Sequence, residues 1–256
     1  MKFVYGSSER IFVNTSIGCN SSCQYCYLPK INGKQSVLNI SEEEAIWQVK
    51  QLTEFKEGEE GTIISIGCYS ECLDEINREK TRRILEAFLP RKNYIQLATK
   101  QRIEPELINS ILLKRCFKQQ ISIYVSMPTI SRISEIEKGT VSLEGRVNNI
   151  KTCVENGIQV VLYIKPFLGK VTSQDKALYV ELIKKYNIPV VIGPYLTTDN
   201  LEVMSDVGET ALYERKMGKE YDDFIEEIEK VTKVVRHSTE LIKLYRQGRK
   251  KDGKAD

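Results

Sequence analysis

The sequence predicts an α/β fold, a partial (β/α)6 TIM-like barrel with a C-terminal helical extension, and three observations carry that prediction. Six short runs rich in β-branched residues alternate with segments whose apolar residues recur about every 3.6 positions, the pattern of parallel βα units. The chain has 256 residues, 41% of them apolar, enough to fill one large core. After Leu196 the alternation gives way to polar sequence and then to a highly charged helical pattern.

The predicted strands are Ile11–Ile17, Thr62–Gly67, Tyr94–Ala98, Ile121–Ser126, Val160–Lys165 and Val190–Gly193, each bounded by Gly, Pro or charged residues. Between them the apolar spacing predicts helices over Glu42–Phe55, Arg78–Phe88, Pro105–Leu113, Leu143–Glu155 and Gln174–Tyr186. Ser41 with Glu44 reads as a capping box, and Gly157 as the stop of the fourth helix. Residues 1–200 are thus expected to form the barrel and residues 201–256 the extension. In the latter, Thr197 to Gly218 has no clear period, Tyr221–Tyr245 reads as one long charged helix, and the chain from Arg246 reads as a frayed end.

The formal net charge of +3 does not by itself indicate nucleic acid, because cations and anions are nearly balanced. The start, Met1-Lys2-Phe3-Val4, lacks a basic region followed by a long apolar one, and no stretch approaches the roughly 18 apolar residues of a membrane span. A soluble cytoplasmic protein with no membrane partner is expected. The odd number of cysteines, seven, argues against a disulfide scaffold and for a reducing compartment.

Three of those cysteines form one loop, Cys19-x3-Cys23-x2-Cys26. The spacing brings three thiolates together with no neighbouring fourth, which suits a 4Fe-4S cube with one iron open to a substrate or cofactor. The competing reading is a zinc site completed by Cys68 or Cys72. Zinc ribbons, however, usually pair two Cys-x2-Cys knuckles, and Cys68-x3-Cys72 makes a poor second one.

The loop Gly18-Cys19-Asn20-Ser21-Ser22-Cys23-Gln24-Tyr25-Cys26-Tyr27-Leu28 resembles the cluster loop of the radical S-adenosylmethionine (SAM) superfamily, including the aromatic before the third cysteine. The resemblance implies that Cys19, Cys23 and Cys26 ligate a single 4Fe-4S cluster, that SAM binds the fourth iron, and that an external electron donor of flavodoxin or ferredoxin type reduces it. Cleavage of SAM then yields a 5′-deoxyadenosyl radical that takes hydrogen from substrate. That superfamily shares an incomplete (β/α)6 barrel, in agreement with the independent strand count.

In βα barrels chemistry gathers at the carboxyl ends of the strands. Here those ends carry the cysteine loop, then Cys68-Tyr69-Ser70-Glu71, Thr99-Lys100, Ser126 and Lys165. Cations, hydroxyls and a carboxylate are the groups that hold a zwitterionic amino acid and a ribose.

A closer resemblance covers roughly residues 10–168. The stretch from Ser126 through Gly139-Thr140 to Gly145-Arg146 is similar to the spore photoproduct lyase family, which has a Ser at the strand end, Glu-Pro-Gly-Thr, and an acidic residue with Gly-Arg. Ala98-Thr99-Lys100 is similar to its Val-Thr-Lys, and Cys68-Tyr69-Ser70-Glu71 to its Cys-Thr-Ser-Asp. The resemblance implies that Ser70 and Glu71 lie near the amino group or ribose of SAM, and Lys100 and Ser126 at its carboxylate. It puts Tyr25 and Tyr27 beside the adenine and the substrate radical, and makes Cys68 a hydrogen-atom donor. Lys165 joins the cofactor-holding groups as a second cation, and Arg146 is expected to buttress the Glu137–Thr140 loop.

The departures bear on substrate. Glu71 stands where that family has Asp and Tyr69 where it has Thr, and where that family has a C-terminal lesion-binding hairpin a charged helix is expected here. A pyrimidine lesion or other nucleic-acid base is therefore one substrate class, and a peptide or small metabolite the other. A non-enzymatic iron-sulfur redox protein is a third reading, disfavoured because an electron carrier has no need of Lys100, Ser126 and Glu71. Cys116 and Cys153 are expected in the core. His237, the only histidine, is expected to face solvent far from the mouth, and Arg246, Arg249, Lys250 and Lys251 to be a solvated basic tail.

Overall fold

The structure, a computed structural model, describes residues 2–32, 37–197, 203–204 and 213–252. Its centre is a sheet of eight strands: β1 (Val4–Gly6), β2 (Arg10–Val13), β3 (Ile63–Ile66), β4 (Ile95–Thr99), β5 (Ile121–Ser126), β6 (Gln159–Ile164), β7 (Val190–Ile192) and β8 (Val234–Val235), lying side by side in that order. β1 pairs antiparallel with β2, and every later strand joins its predecessor in parallel. Adding each strand beside the last is the winding of a barrel. Among the described residues β8 does not pair back to β1 or β2, so the barrel is partial, as the sequence predicts.

Seven main helices follow the strands: α1 (Glu42–Gln51), α2 (Arg78–Phe88), α3 (Pro105–Lys114), α4 (Leu143–Glu155), α5 (Lys176–Tyr186), α6 (Lys219–Glu229) and α7 (Ser238–Asp252). Strands covered on both faces have no polar side to show, and all six residues of β5 are accordingly buried. One face, with Ile64, Leu97, Ile123 and Leu162, packs on Leu85, Phe88, Ile111 and Ile150 of the helices. The other face, with Tyr124, Val161, Val191 and Val235, packs on Leu241 of α7, and Ile63 and Tyr94 pack with Ile242. α7 thus closes the lumen.

Local signals explain the helix ends. Ser41 Oγ accepts the Glu44 N–H at 3.1 Å, one half of the expected capping box, but the Glu44 carboxylate accepts from Gln48 instead of reaching back. Ser142 caps α4 through the Gly145 N–H, and Gly157 turns the chain after it at φ +60°.

Three expectations are corrected. Tyr221–Tyr245 is not one helix: α6 stops at Glu229, and Val234–Val235 forms β8, where the Val190 N–H bonds Lys233 O at 3.0 Å. The β-branched run Val231-Thr-Lys-Val-Val completes the open edge of β7, which a continuing helix would leave unpaired. Nor is the basic end a free tail: Arg246, Arg249 and Lys250 are anchored, while the Lys251 side chain lies outside the described residues. Arg246 lies over Tyr94 and donates to Gly61 O, Arg249 pairs with Glu59 at 3.1 Å, and Lys250 pairs with Glu60 at 3.1 Å. These contacts tie α7 to the underside of the barrel. Finally, Cys153 is buried as expected but Cys116 is exposed, because it lies in the loop after α3.

Candidate functional site

The carboxyl ends of the strands surround a cavity of about 260 Å³. Asn14, buried just after β2, joins the first two strand ends, because its Oδ1 accepts the N–H groups of Cys68 (3.0 Å) and Tyr69 (2.7 Å). Gly18, at φ +107°, turns the chain into the cysteine loop and donates its N–H to Tyr69 O at 3.0 Å.

The loop is strapped from the far side by a short antiparallel pairing of Ser22–Cys23 with Glu137–Lys138. Gly139 permits that approach, since a Cβ there would stand 3.2 Å from Ser21 Cα. Glu137 is held in turn by Arg146 of α4, whose Nη1 reaches Glu137 Oε2 at 2.6 Å and Ser126 O at 2.7 Å, while Nη2 donates to Thr140 Oγ1 at 2.6 Å. Arg146 therefore buttresses this loop, as the sequence led us to expect. Tyr25 OH also donates to the Glu137 carboxylate.

All eleven site residues named from the sequence line this one cavity: Cys19, Cys23, Cys26, Tyr25, Tyr27, Cys68, Ser70, Glu71, Lys100, Ser126 and Lys165. Glu71 is buried with its carboxylate engaged, Oε1 by Thr99 Oγ1 (2.5 Å) and Leu73 N (3.2 Å), Oε2 by Lys100 N (2.8 Å). Burial raises its pKa against the opposing Lys100 charge. Burial also disfavours the Lys100 ammonium, but Glu137, Cys23 and Glu71 outweigh it and the net shift is upward. Lys100 Nζ stands 5.8 Å from the Tyr25 ring centroid. Tyr27 OH donates to Cys68 O at 3.4 Å, and Tyr5 OH to Cys68 Sγ at 3.3 Å.

Burial pushes the Cys23 thiol up to about 11 and raises Cys26 and Cys68 as well, so thiolates here need a compensating cation or metal. Among the described residues no three His, Cys, Asp or Glu converge on a single metal ion. Cys72 is buried and donates to Ala98 O at 3.2 Å, and Cys68 is engaged by Tyr5. That disposition leaves a zinc ion without a tetrahedral ligand set. Three thiols spread along one loop fit instead a polynuclear cluster, in which each iron takes one cysteine. Ser126 Oγ, on the cavity wall, is buried without a hydrogen-bond partner, a donor left for a bound group.

The structure adds residues that sequence reading did not place here. His237 lines the same cavity with Arg236 and Ser238, correcting the expectation that it lies far from the mouth. It does so because β8 delivers it there, and the single-helix reading concealed β8. Arg10, Ser65, Gln96, Tyr124 and Tyr163 line the lumen too. Their signal was polar or aromatic residues at alternate positions of otherwise apolar strands.

The family model described as Radical SAM superfamily matches residues 13–182. The chain belongs to the radical SAM superfamily. Its cofactors are accordingly SAM and a 4Fe-4S cluster, and the three thiols with the vacant Ser126 hydroxyl fit them. As a radical SAM enzyme it requires a reductant. Among curated proteins no sequence matches.

Solved structures share the fold at low identity. A spore photoproduct lyase variant with bound AdoMet and dinucleoside spore photoproduct is 13% identical, with a TM-score of 0.65 over 88% of this chain and 75% of that one. Another lyase variant is 15% identical at 0.65, covering 91% and 78%. Streptococcus suis SuiB bound to S-adenosylmethionine is 13% identical at 0.59, covering 90% of this chain and 51% of SuiB. A further SuiB structure, bound to precursor peptide SuiA, is 13% identical at 0.59, covering 91% and 50%. The chain thus spans about half of SuiB. No described helix is long and apolar enough to cross a membrane.

Proposed function

We propose that the protein cleaves SAM reductively at its single cluster and removes hydrogen from a nucleic-acid base, a pyrimidine lesion being the form considered first. When bound, the reduced cluster and SAM supply a 5′-deoxyadenosyl radical. The chain's own residues hold the reactants and keep water out. The observation that supports this reading is the convergence of three loop cysteines, the vacant Ser126 hydroxyl, Lys100 and Cys68 on one cavity closed below by α7.

In this reading Lys100 and Ser126 take the methionine carboxylate, Ser70 and Glu71 the amino group or ribose, and Tyr25 the adenine side. Tyr27 and Tyr163 wall the remaining space. Aromatic faces accept a flat heterocycle readily, because every base has a π-face to stack. Cys68, beside Tyr27, is the hydrogen-atom donor, and the thiyl radical it leaves is restored to the thiol by one electron from the external reductant and one solvent proton. A flavodoxin- or ferredoxin-type protein serves as reductant in a reducing cytoplasm, the compartment that an odd number of cysteines with three committed to one cluster loop implies.

The test is anaerobic incubation with SAM, dithionite and a dinucleoside thymine lesion, reading 5′-deoxyadenosine and the repaired dinucleoside. Both should form, and neither with Cys19→Ala. Deoxyadenosine with no converted base would move the substrate to a peptide or small metabolite, and none above the Cys19→Ala level would leave a redox protein.

A further inference from the structure

The cavity wall carries four cationic side chains, Arg10, Lys100, Lys165 and Arg236, against one carboxylate, Glu71, among the described residues. Lys100 and Glu71 belong together, since each charge favours the charged form of the other. Arg10, which has partners of its own, lines one space with Lys165 and Arg236.

Each is held in place. The Lys165 stem lies across Gly193, just after β7, where an added Cβ would stand 2.5 Å from Lys165 Cδ. Glycine is what admits it. Arg236 follows β8, the strand paired to β7 through Val191 and Val235, so β7, whose end the Lys165 stem crosses, lies between the strands that deliver the two cations. Its guanidinium carbon sits 5.0 Å from the Tyr221 ring centroid. Arg10 lies 4.4 Å above Phe12 and donates to Ser238 Oγ at 3.3 Å. Ser238 opens α7, a helix of 15 residues, and Glu240 accepts the His237 N–H at that end. Neither Lys165 nor Arg236 has a carboxylate partner among the described residues.

Two cations without a carboxylate partner on one wall make a ready site for an anion, and the exposure of Arg236 lets a ligand reach it. A phosphate dianion matches two or three cations where a carboxylate matches one, and a guanidinium already stacked on a ring presents its fork to phosphate oxygens with little further ordering. We propose that this end of the cavity binds a phosphate group carried by the substrate, with Arg236 and Lys165 as its partners. This rests on the reading of the cavity as the substrate site, and it reassigns Lys165 from cofactor to substrate.

The test is equilibrium binding to the cluster-loaded protein, saturated with SAM and without reductant, of two matched pairs: thymidine 5′-monophosphate against thymidine, and ribose 5-phosphate against ribose. Each phosphorylated member should bind about tenfold more tightly or better, the scale of hydrogen bonds to charged groups. Arg236→Gln should bring the ratio close to one while keeping its iron. Should that variant lose its cluster, Lys165→Gln carries the same comparison. Equal affinities within both pairs overturn the proposal, as does a ratio that persists in a folded Arg236→Gln protein. Inorganic phosphate that binds while neither pair shows a ratio would mean a free-anion site, which also overturns it. A ratio kept by ribose 5-phosphate, with thymidine binding no better than ribose, would retain the phosphate site and remove the base.

Discussion

Arg146 and Glu137 form an ion pair 2.6 Å apart in which neither side chain reaches solvent. Glu137 is the residue that pairs with Cys23 across the short strand and takes the Tyr25 hydroxyl, so this one contact carries α4 to the cysteine loop. Breaking a buried pair from one side leaves a bare charge and costs about 3–5 kcal/mol. Arg146→Met should lower unfolding stability by about that amount in urea titrations and should weaken iron retention. The double change Arg146→Met with Glu137→Gln should cost less than Arg146→Met alone, since no unpaired charge remains. A double variant worse than both singles would show that the pair is needed for shape and not only for charge balance.

Ser126 gives the opposite signature. Its hydroxyl is buried and has no partner, so Ser126→Ala removes no internal bond and should leave the urea midpoint unchanged or slightly higher. SAM affinity should nevertheless fall by about tenfold or more, the value of a hydrogen bond to a carboxylate. Equal SAM affinity in parent and variant would remove Ser126 from the cofactor site.

Asp175, at the start of α5, does not cap its own helix but reaches back to the loop after β5. Its Oδ2 accepts from Thr129 Oγ1 (2.8 Å), Ile130 N (2.6 Å) and Ser131 N (3.1 Å). Burial opposes the charge, but these donors outweigh it and hold the folded pKa below the usual value. A depressed carboxylate pKa contributes stability that is full above the unfolded value of about 3.9 and is lost as pH falls through the folded value. The stability gap between the parent and Asp175→Asn should therefore be widest at neutral pH and close in acid. A gap that stays constant with pH would mean that the loop does not depend on the charge.

Much of this was legible in the sequence where a short-range rule governs. β5 over Ile121–Ser126, α2 over Arg78–Phe88 and α4 over Leu143–Glu155 were read to the residue, because their apolar periods are clean and Gly157 marks a stop. The eleven site residues share one cavity because barrel geometry sends every strand end to the same mouth, a rule that needs no distances. β8 was not legible. Its two valines stand among charged residues and become a strand only because β7 offers an open edge, which is tertiary information. With β8 went His237 and Arg236, and so one end of the cavity wall. Arg249 and Lys250 misled for the same reason, since their partners Glu59 and Glu60 are remote in sequence.

Cys68 offers the sharpest test of what happens after hydrogen has been taken from substrate. Its thiol lines the cavity at the end of β3, accepts the Tyr5 hydroxyl at 3.3 Å, and is raised in pKa by burial, so it stays protonated at neutral pH and keeps the S–H hydrogen that a donor must give. Tyr5 is stacked between Phe12 and Tyr69 at 5.0 and 5.2 Å, which fixes the hydroxyl against the sulfur. Cys68→Ala leaves Cys19, Cys23 and Cys26 untouched, so deoxyadenosine should still form while the substrate product is altered or trapped. In deuterated water the thiol exchanges with solvent. The parent should then place solvent deuterium in the product, and Cys68→Ala should not. Equal labelling with an unchanged product would return Cys68 to the role of a buried packing residue and would favour a peptide or metabolite substrate over a repaired base.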